Sequence, residues 1–211
     1  MSTESASEYS RKNPFPATLT VNRILTAEGS NKDTRHLEIS LEGSGVTYEV
    51  GDSLGVFPSN DPELVEAILA NQGFSGEEQV PDPVGDIISL RQALTEKYIL
   101  SEPAKQILKA LPEKDESAEF LTDLLDPGEK GKLADYLWGR DVLDILEEFT
   151  AARFTPEEFV KVLRKLQPRL YSIASSQRVV GESVHLTLAV VRYQPKGSRH
   201  LHKGVCSTFL A

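Results

Sequence analysis

The chain has 211 residues, 39% hydrophobic and 26% charged, which is ordinary globular usage and length for one domain or two small ones. It has no apolar run near the roughly 20 residues of a membrane span, and its polar, acidic start lacks the basic stretch and apolar core of a secretion signal. A formal net charge of -9 argues against broad binding to nucleic-acid backbones, which needs clustered cations, but a small nucleotide can still be held by one or two placed cations and backbone N–H groups.

Residues 1–13 read as a disordered tail. From Ala17 to Pro58 the apolar residues Leu19, Val21, Ile24 and Leu25, then Leu37, Ile39 and Leu41, recur near period two between glycine-bearing turns, predicting a meander of strands. A third strand is predicted over Val46–Val50, with Gly51 and Gly55 marking a turn or bulge before a further short apolar strand.

At Ser59 the pattern changes to helices. Asn60-Asp61-Pro62-Glu63 supplies a cap, an early proline and an acidic first turn, Leu64, Ile68 and Leu69 share a face, and Gly73 marks a left-handed stop. Short helices follow over Ser89–Tyr98, Ser101–Leu111, Ser117–Leu125, Gly131–Trp138 and Asp141–Thr150. Thr155-Pro156-Glu157-Glu158 forms a capping box before Phe159, Val162, Leu163 and Leu166, and Pro168 ends that helix. Residues 59–167 therefore read as a helical insertion into a β domain rather than as an alternating βαβ unit.

Strands return over Leu170–Ser175 and Val184–Tyr193, where Val184, Leu186, Leu188 and Val190 face one way and His185, Thr187, Ala189 and Val191 the other. The final segment, Gly204 to Ala211, reads as a helix start cut off after about one turn, and the expectation is a truncated domain.

Arg169, after the rigid Pro168, can clamp paired phosphates with its planar fork, and Tyr171, two residues on, offers an aromatic plane on the same face. Alone, each reads rather as an ordinary exposed arginine and a half-buried barrel tyrosine. Ser172, Ala174, Ser175 and Ser176 are small enough for a bulky ring to approach. Gly204 to Thr208 would aim helix N-terminal N–H groups at an anion, or would be a simple cap. Together they describe a dinucleotide whose pyrophosphate meets an arginine and a helix start, with a tyrosine on its ring.

With these segments, and with Tyr48-Glu49-Val50-Gly51-Asp52-Ser53-Leu54-Gly55-Val56 and Val190-Val191-Arg192-Tyr193, the chain from Asn13 to Ala211 resembles the FAD-binding domain of diflavin reductases, a branch of the ferredoxin-NADP reductase superfamily. Within that branch the segments look closest to the sulfite reductase flavoproteins. The resemblance implies an antiparallel Greek-key FAD-binding β-barrel (residues 14–58 and 168–211) with a mainly helical connecting insertion (59–167), and an NADP-binding domain lying outside this chain. It implies that Arg169 binds the FAD pyrophosphate, Tyr171 packs on the isoalloxazine, Ser172 hydrogen-bonds near its reactive nitrogen and Leu170 gives backbone contacts. Thr187, Leu188 and Ala189 match the strand along the flavin and Tyr193 the adenine end. Gly204, Val205, Cys206 and Ser207 match the phosphate-binding turn, and Ser101 a weaker contact. Catalytic side chains are not implied.

It further implies electrons passing from NADPH through FAD and FMN to a haem-containing partner subunit, with an FMN domain or protein as the intermediate station. An electron-transferring flavoenzyme, a FAD-binding module without catalysis of its own and a helical interaction scaffold remain the alternatives. Cys206 is the sole cysteine, so no disulfide or multi-cysteine cluster forms within the chain, which fits a reducing cytoplasm. As a redox thiol it is a lesser reading than compact packing beside phosphates. His200 and His202, spaced i, i+2 in a polar loop without an evident third ligand, read as solvated residues, and no metal is expected. The acidic stretch Asp115–Glu148 reads as a solvated helical surface, with steering of a basic redox partner as the lesser reading.

Overall fold

The computed structural model describes residues 8–211; residues 1–7, the first part of the expected tail, lie outside the described residues. In the rest of that tail Ser10 and Asn13 exchange backbone hydrogen bonds of 2.8 and 3.1 Å. In chain order the structure comprises β1 (Leu19–Ile24), β2 (Thr34–Ser40), β3 (Ser53–Val56), α1 (Pro62–Gln72), β4 (Gln79–Pro81), β5 (Ile87–Ser89), α2 (Leu90–Glu96) and β6 (Tyr98–Ile99). Then follow α3 (Lys105–Ala110), α4 (Leu121–Leu124), α5 (Lys130–Leu137), α6 (Val142–Glu148), α7 (Pro156–Val162) and β7 (Arg164–Lys165). The chain closes with β8 (Arg169–Ser172), α8 (Gln177–Val180), β9 (Ser183–Ala189), β10 (Arg192–Tyr193), β11 (His202–Lys203) and α9 (Val205–Phe209). None of the described helices is long and apolar enough to cross a membrane.

The chain forms two compact units, one of residues up to Pro58 with Pro168–Val191 and Cys206–Ala211, the other of Ser59–Gln167 with Arg192–Val205. The first is built on an antiparallel sheet in the order β1-β2-β9. Strict alternation puts Leu37 and Ile39 of β2 and Val184, Leu186 and Leu188 of β9 on one face, and the register sets Leu37 opposite Leu186 and Ile39 opposite Val184. These side chains, with Leu41, Val190, Cys206 and Leu210, make the unit's core, each large aliphatic contributing on the order of 1.5–3 kcal/mol by leaving water.

A second ribbon, β3-β8, joins this sheet through the bridge Ile173↔Leu186. Among the described residues the sheets are small and none closes into the expected barrel, and the predicted strand Val46–Val50 does not form. Its backbone donors go to side chains instead of a ladder: Tyr48 N–H donates to Gln177 Oε1 (2.8 Å) and Glu49 N–H to Asp52 Oδ2 (2.8 Å), after which Gly51 turns at φ 103°. Residues 177–180, given no element by the sequence reading, form α8.

The second unit is mainly helical and has its own apolar core, from Val65, Ile68 and Leu69 of α1 through Ile145 and Leu146 of α6 to Phe159 and Val160 of α7. Pro62 starts α1 and Gly73 ends it at φ 74°. Asp61 makes no capping hydrogen bond there; its carboxylate lies 2.8 Å from Lys203 Nζ. The capping box of α7 is present, with Thr155 Oγ1 accepting from Glu158 N–H and the Glu158 carboxylate accepting from Thr155 N–H. That helix stops at Val162, short of Leu166, because Leu163 turns extended (ψ 157°) and Arg164–Lys165 pair with Tyr98–Ile99. This ribbon and the β4-β5 hairpin, whose turn is held by three N–H donors on Asp82 Oδ1, interrupt the helices.

Phe159 is fully buried, its ring 5.9 Å from Phe74 and 5.8 Å from Phe154. Phe159→Ala should cost about 3–5 kcal/mol in urea unfolding with an unchanged denaturant slope; a loss below about 1 kcal/mol would show that this cluster does not anchor the unit.

Candidate functional site

Strand β8 leaves Pro168 and pairs antiparallel with β3, with Arg169 opposite Val56, Leu170 opposite Gly55, Tyr171 opposite Leu54 and Ser172 opposite Ser53. Tyr171, Leu54 and Val56 pack against the core, whereas Ser53, Gly55, Leu170 and Ser172 form an exposed face. Leu170 is 74% exposed, and a side chain built on Gly55 would meet only its Cδ2, at 3.6 Å. The glycine keeps this face low. Arg169 is exposed at the start of the strand.

Tyr171 packs against the core cluster that contains Cys206, the second residue of α9. Burial, reinforced by the neighbouring Cys206, pushes the phenol well above its usual range. Burial likewise pushes the Cys206 thiol up, against the lowering pull of the Tyr171 hydroxyl and the Arg169 charge. Cys206, distant in the chain from Arg169 and Tyr171, is thus brought near both. The thiol itself is 3% exposed and held protonated, which does not suit a redox nucleophile.

Helix α9 is anchored at both ends. Ser207 Oγ accepts from Val191 N–H (3.1 Å), and the Ala211 carbonyl accepts from Asn22 Nδ2 (2.9 Å) and from Arg35 (2.5 Å), itself oriented by Asp33. Cys206 and Ser207 are both buried, so the side chain of neither is open to a ligand and a contribution from them would come through the backbone. On β9, Thr187 and Ala189 are exposed while Leu188 points into the core, again leaving only its backbone.

A network absent from the sequence reading braces the segment before β3. Tyr48 donates its hydroxyl to the Ser183 carbonyl (2.9 Å), with Ser175 Oγ 2.6 Å away, and Ser175 Oγ accepts from His185 N–H (3.0 Å). Ser175 is therefore occupied in tying strands together rather than left as filler beside a ligand. Tyr48 and Gln177 gave no signal because each is an ordinary residue alone; only their meeting reveals the brace.

Tyr193, Gly204 and Val205 belong to the second unit, as does the half-buried Ser101. Tyr193 is half-exposed in β10, its ring 5.3 Å from that of His202. The histidines overturn their solvated reading: His200 Nε2 lies 2.7 Å from Asp141 Oδ2 and His202 Nε2 2.9 Å from Asp144 Oδ2, with His202 buried. The carboxylates were invisible as partners because they sit far back in the chain, at the start of α6.

Arg169 and Tyr171 share one face of β8, and an exposed guanidinium beside a half-buried tyrosine suits an anionic cofactor with a flat ring, a donor set that FAD fits. The chain belongs to the FAD binding domain family, which it matches over residues 7–209. It is similar to the sulfite reductase (NADPH) flavoprotein alpha-component of Bacillus subtilis (strain 168), 45% identical over 206 residues, covering 97% of this chain and 34% of that protein. The like-named proteins of Photobacterium profundum (42% over 210 residues; 100% and 34%) and Aliivibrio fischeri (46% over 187 residues; 89% and 30%) are similar too. The chain spans about a third of the length of these curated relatives.

Because the folded thiol pKa is raised, Cys206 carries less thiolate than a free thiol at any pH up to its own pKa, and its reactivity should set in at higher pH. At pH 8, labelling with a disulfide reagent is expected to be at least about tenfold slower in the folded protein than in urea; equal rates would contradict the buried thiol.

Proposed function

We propose that the chain is the FAD station of an NADPH-dependent flavoprotein reductase, and that the whole protein passes electrons from NADPH through FAD and FMN to a haem-containing acceptor subunit, as in sulfite reduction. In this reading residues 14–58 and 168–211 form the family's antiparallel FAD-binding barrel and residues 59–167 its connecting insertion. The placing of Arg169 and Tyr171 on one face of β8, with Tyr171 packed against the core that holds Cys206, carries the assignment. FAD, when bound, supplies the redox chemistry, including the exchange between two-electron and one-electron carriers.

The chain's own residues bind and orient. Arg169 is exposed, so its fork meets the pyrophosphate without first breaking a buried pair. Tyr171 is half-buried against the core, so its ring loses little rotational freedom when a flavin packs on it. Ser172 and Leu170 lie on the other face of the strand, and family likeness gives Ser172 a hydrogen bond near the reactive nitrogen of the isoalloxazine and Leu170 backbone contacts. Thr187 and Ala189 present small side chains, and Leu188 its peptide, along the ring. Family likeness assigns Tyr193 to the adenine end and Gly204-Val205 to the phosphate turn that continues into Cys206 and Ser207.

Because the chain spans about a third of its relatives, the electron path is assigned to the whole protein and FAD binding to this chain. The lone, buried cysteine fits a cytoplasmic setting.

Removing a charge-assisted contact costs about 1.5–3 kcal/mol, so Arg169→Ala should weaken FAD binding by roughly tenfold to a hundredfold, read by quenching of flavin fluorescence, with unchanged circular dichroism because the side chain is exposed. Wild-type FAD affinity in that variant would remove Arg169 from the site.

A further inference from the structure

The second unit contains a group of side chains that the FAD assignment does not use. Asp141 caps α6 and Asp144 lies one turn on, which places both carboxylates on one face of the helix start. His200 lies in the bend before β11 and His202 begins that strand, and their rings stack side by side. We infer that these four residues hold one divalent transition-metal ion, of which zinc is the type.

The geometry is that of a converging ligand set. The four candidate ligand atoms lie within 4.8 Å of one another. His200 Nε2 is 2.7 Å and His202 Nε2 3.7 Å from Asp141 Oδ2, while His202 Nε2 is 2.9 Å from Asp144 Oδ2. Tetrahedral ligands at about 2.0–2.2 Å from zinc stand roughly 3.3–3.5 Å apart, so the ion requires shifts of a fraction of an ångström to about 1.5 Å. The helix cap supplies the outer support: Asp141 Oδ1 accepts from Asp144 N–H and Asp144 Oδ2 from Asp141 N–H, both at 3.0 Å, which fixes each carboxylate and leaves Asp141 Oδ2 turned to the histidines.

Ion pairing alone accounts for the cluster less well. The two rings are stacked 4.8 Å apart at 21°, an arrangement in which two positive imidazoles would repel. His200 Nδ1 is buried without a hydrogen-bond partner, although a carboxylate oxygen of Asp144 stands 3.8 Å away. A dication binds both rings in neutral form and is balanced by two carboxylates. Asp141 is 3% and His202 5% exposed, so the site is closed and suits a structural ion. Mixed nitrogen and carboxylate donors select zinc and its borderline neighbours over calcium or magnesium, which take oxygen ligands. A bound ion would fasten the connector carrying β10 and β11 to α6. The other trio of possible ligands, His36, Glu38 and His185, has one carboxylate and is only half-buried.

The test uses the 211-residue protein freed of metal with a chelator and titrated with Co2+ and then Zn2+. One Co2+ per chain with the intense visible bands of a tetrahedral site, displaced by Zn2+, is expected. His200→Gln, at a position open enough to keep the fold, should weaken Zn2+ binding by at least about tenfold, with folding checked by circular dichroism, and His185→Gln should leave it unchanged. Failure to bind either ion, octahedral Co2+ bands, equal affinity in His200→Gln and wild type, or loss of binding in His185→Gln would each overturn the assignment.

Discussion

The packing of Tyr171 against the core that holds Cys206 is the constraint on which the first unit's cofactor reading depends. It seats β8 on the same apolar cluster that β2, β9 and α9 build. The large apolar side chains buried in that cluster hold these segments together. Arg169, which shares the strand, is thereby placed at the mouth of the ribbon without itself being buried. Rigidity behind and openness in front are what a preorganised anion and ring site needs.

Much of this was legible in the chain, for reasons that differ by element. The period-two run of β9 declared its buried face because each inward residue is large and aliphatic. The Thr155 capping box and Gly73 declared helix ends because their chemistry is local. Arg169 and Tyr171 were legible as a pair because a strand carries parity over two residues. Val46–Val50 misled because its apolar alternation is real, yet Gln177 and Asp52, residues with no strand signal, take its backbone donors. The ribbons β4-β5 and β6-β7 are too short to show any period, and Leu163 leaves the helix although its side chain continues the helical spacing.

The polar clusters of the second unit were the least visible feature. His200 and Asp141 lie 59 residues apart, and Lys203 reaches back to Asp61 and Glu63 at 2.8 and 2.6 Å. Such pairings depend on which loop returns to which helix, and nothing in local composition encodes that. They also change how an acidic stretch is understood: within Asp115–Glu148, Asp141 and Asp144 face His200 and the buried His202, and Glu148 engages Tyr136 (2.9 Å) and Arg140. Part of the negative charge is structural rather than a solvated face.

With Arg169 proposed as the pyrophosphate clamp, the chain should prefer a flavin that carries a pyrophosphate to a flavin ring alone. Titrating the cofactor-free protein in parallel with FAD, FMN and riboflavin, followed by flavin fluorescence, tests this most directly. The expected result is one FAD per chain, bound at least about tenfold more tightly than FMN or riboflavin because only FAD brings a pyrophosphate to the Arg169 fork. Equal binding of all three, or no binding of FAD, would contradict it.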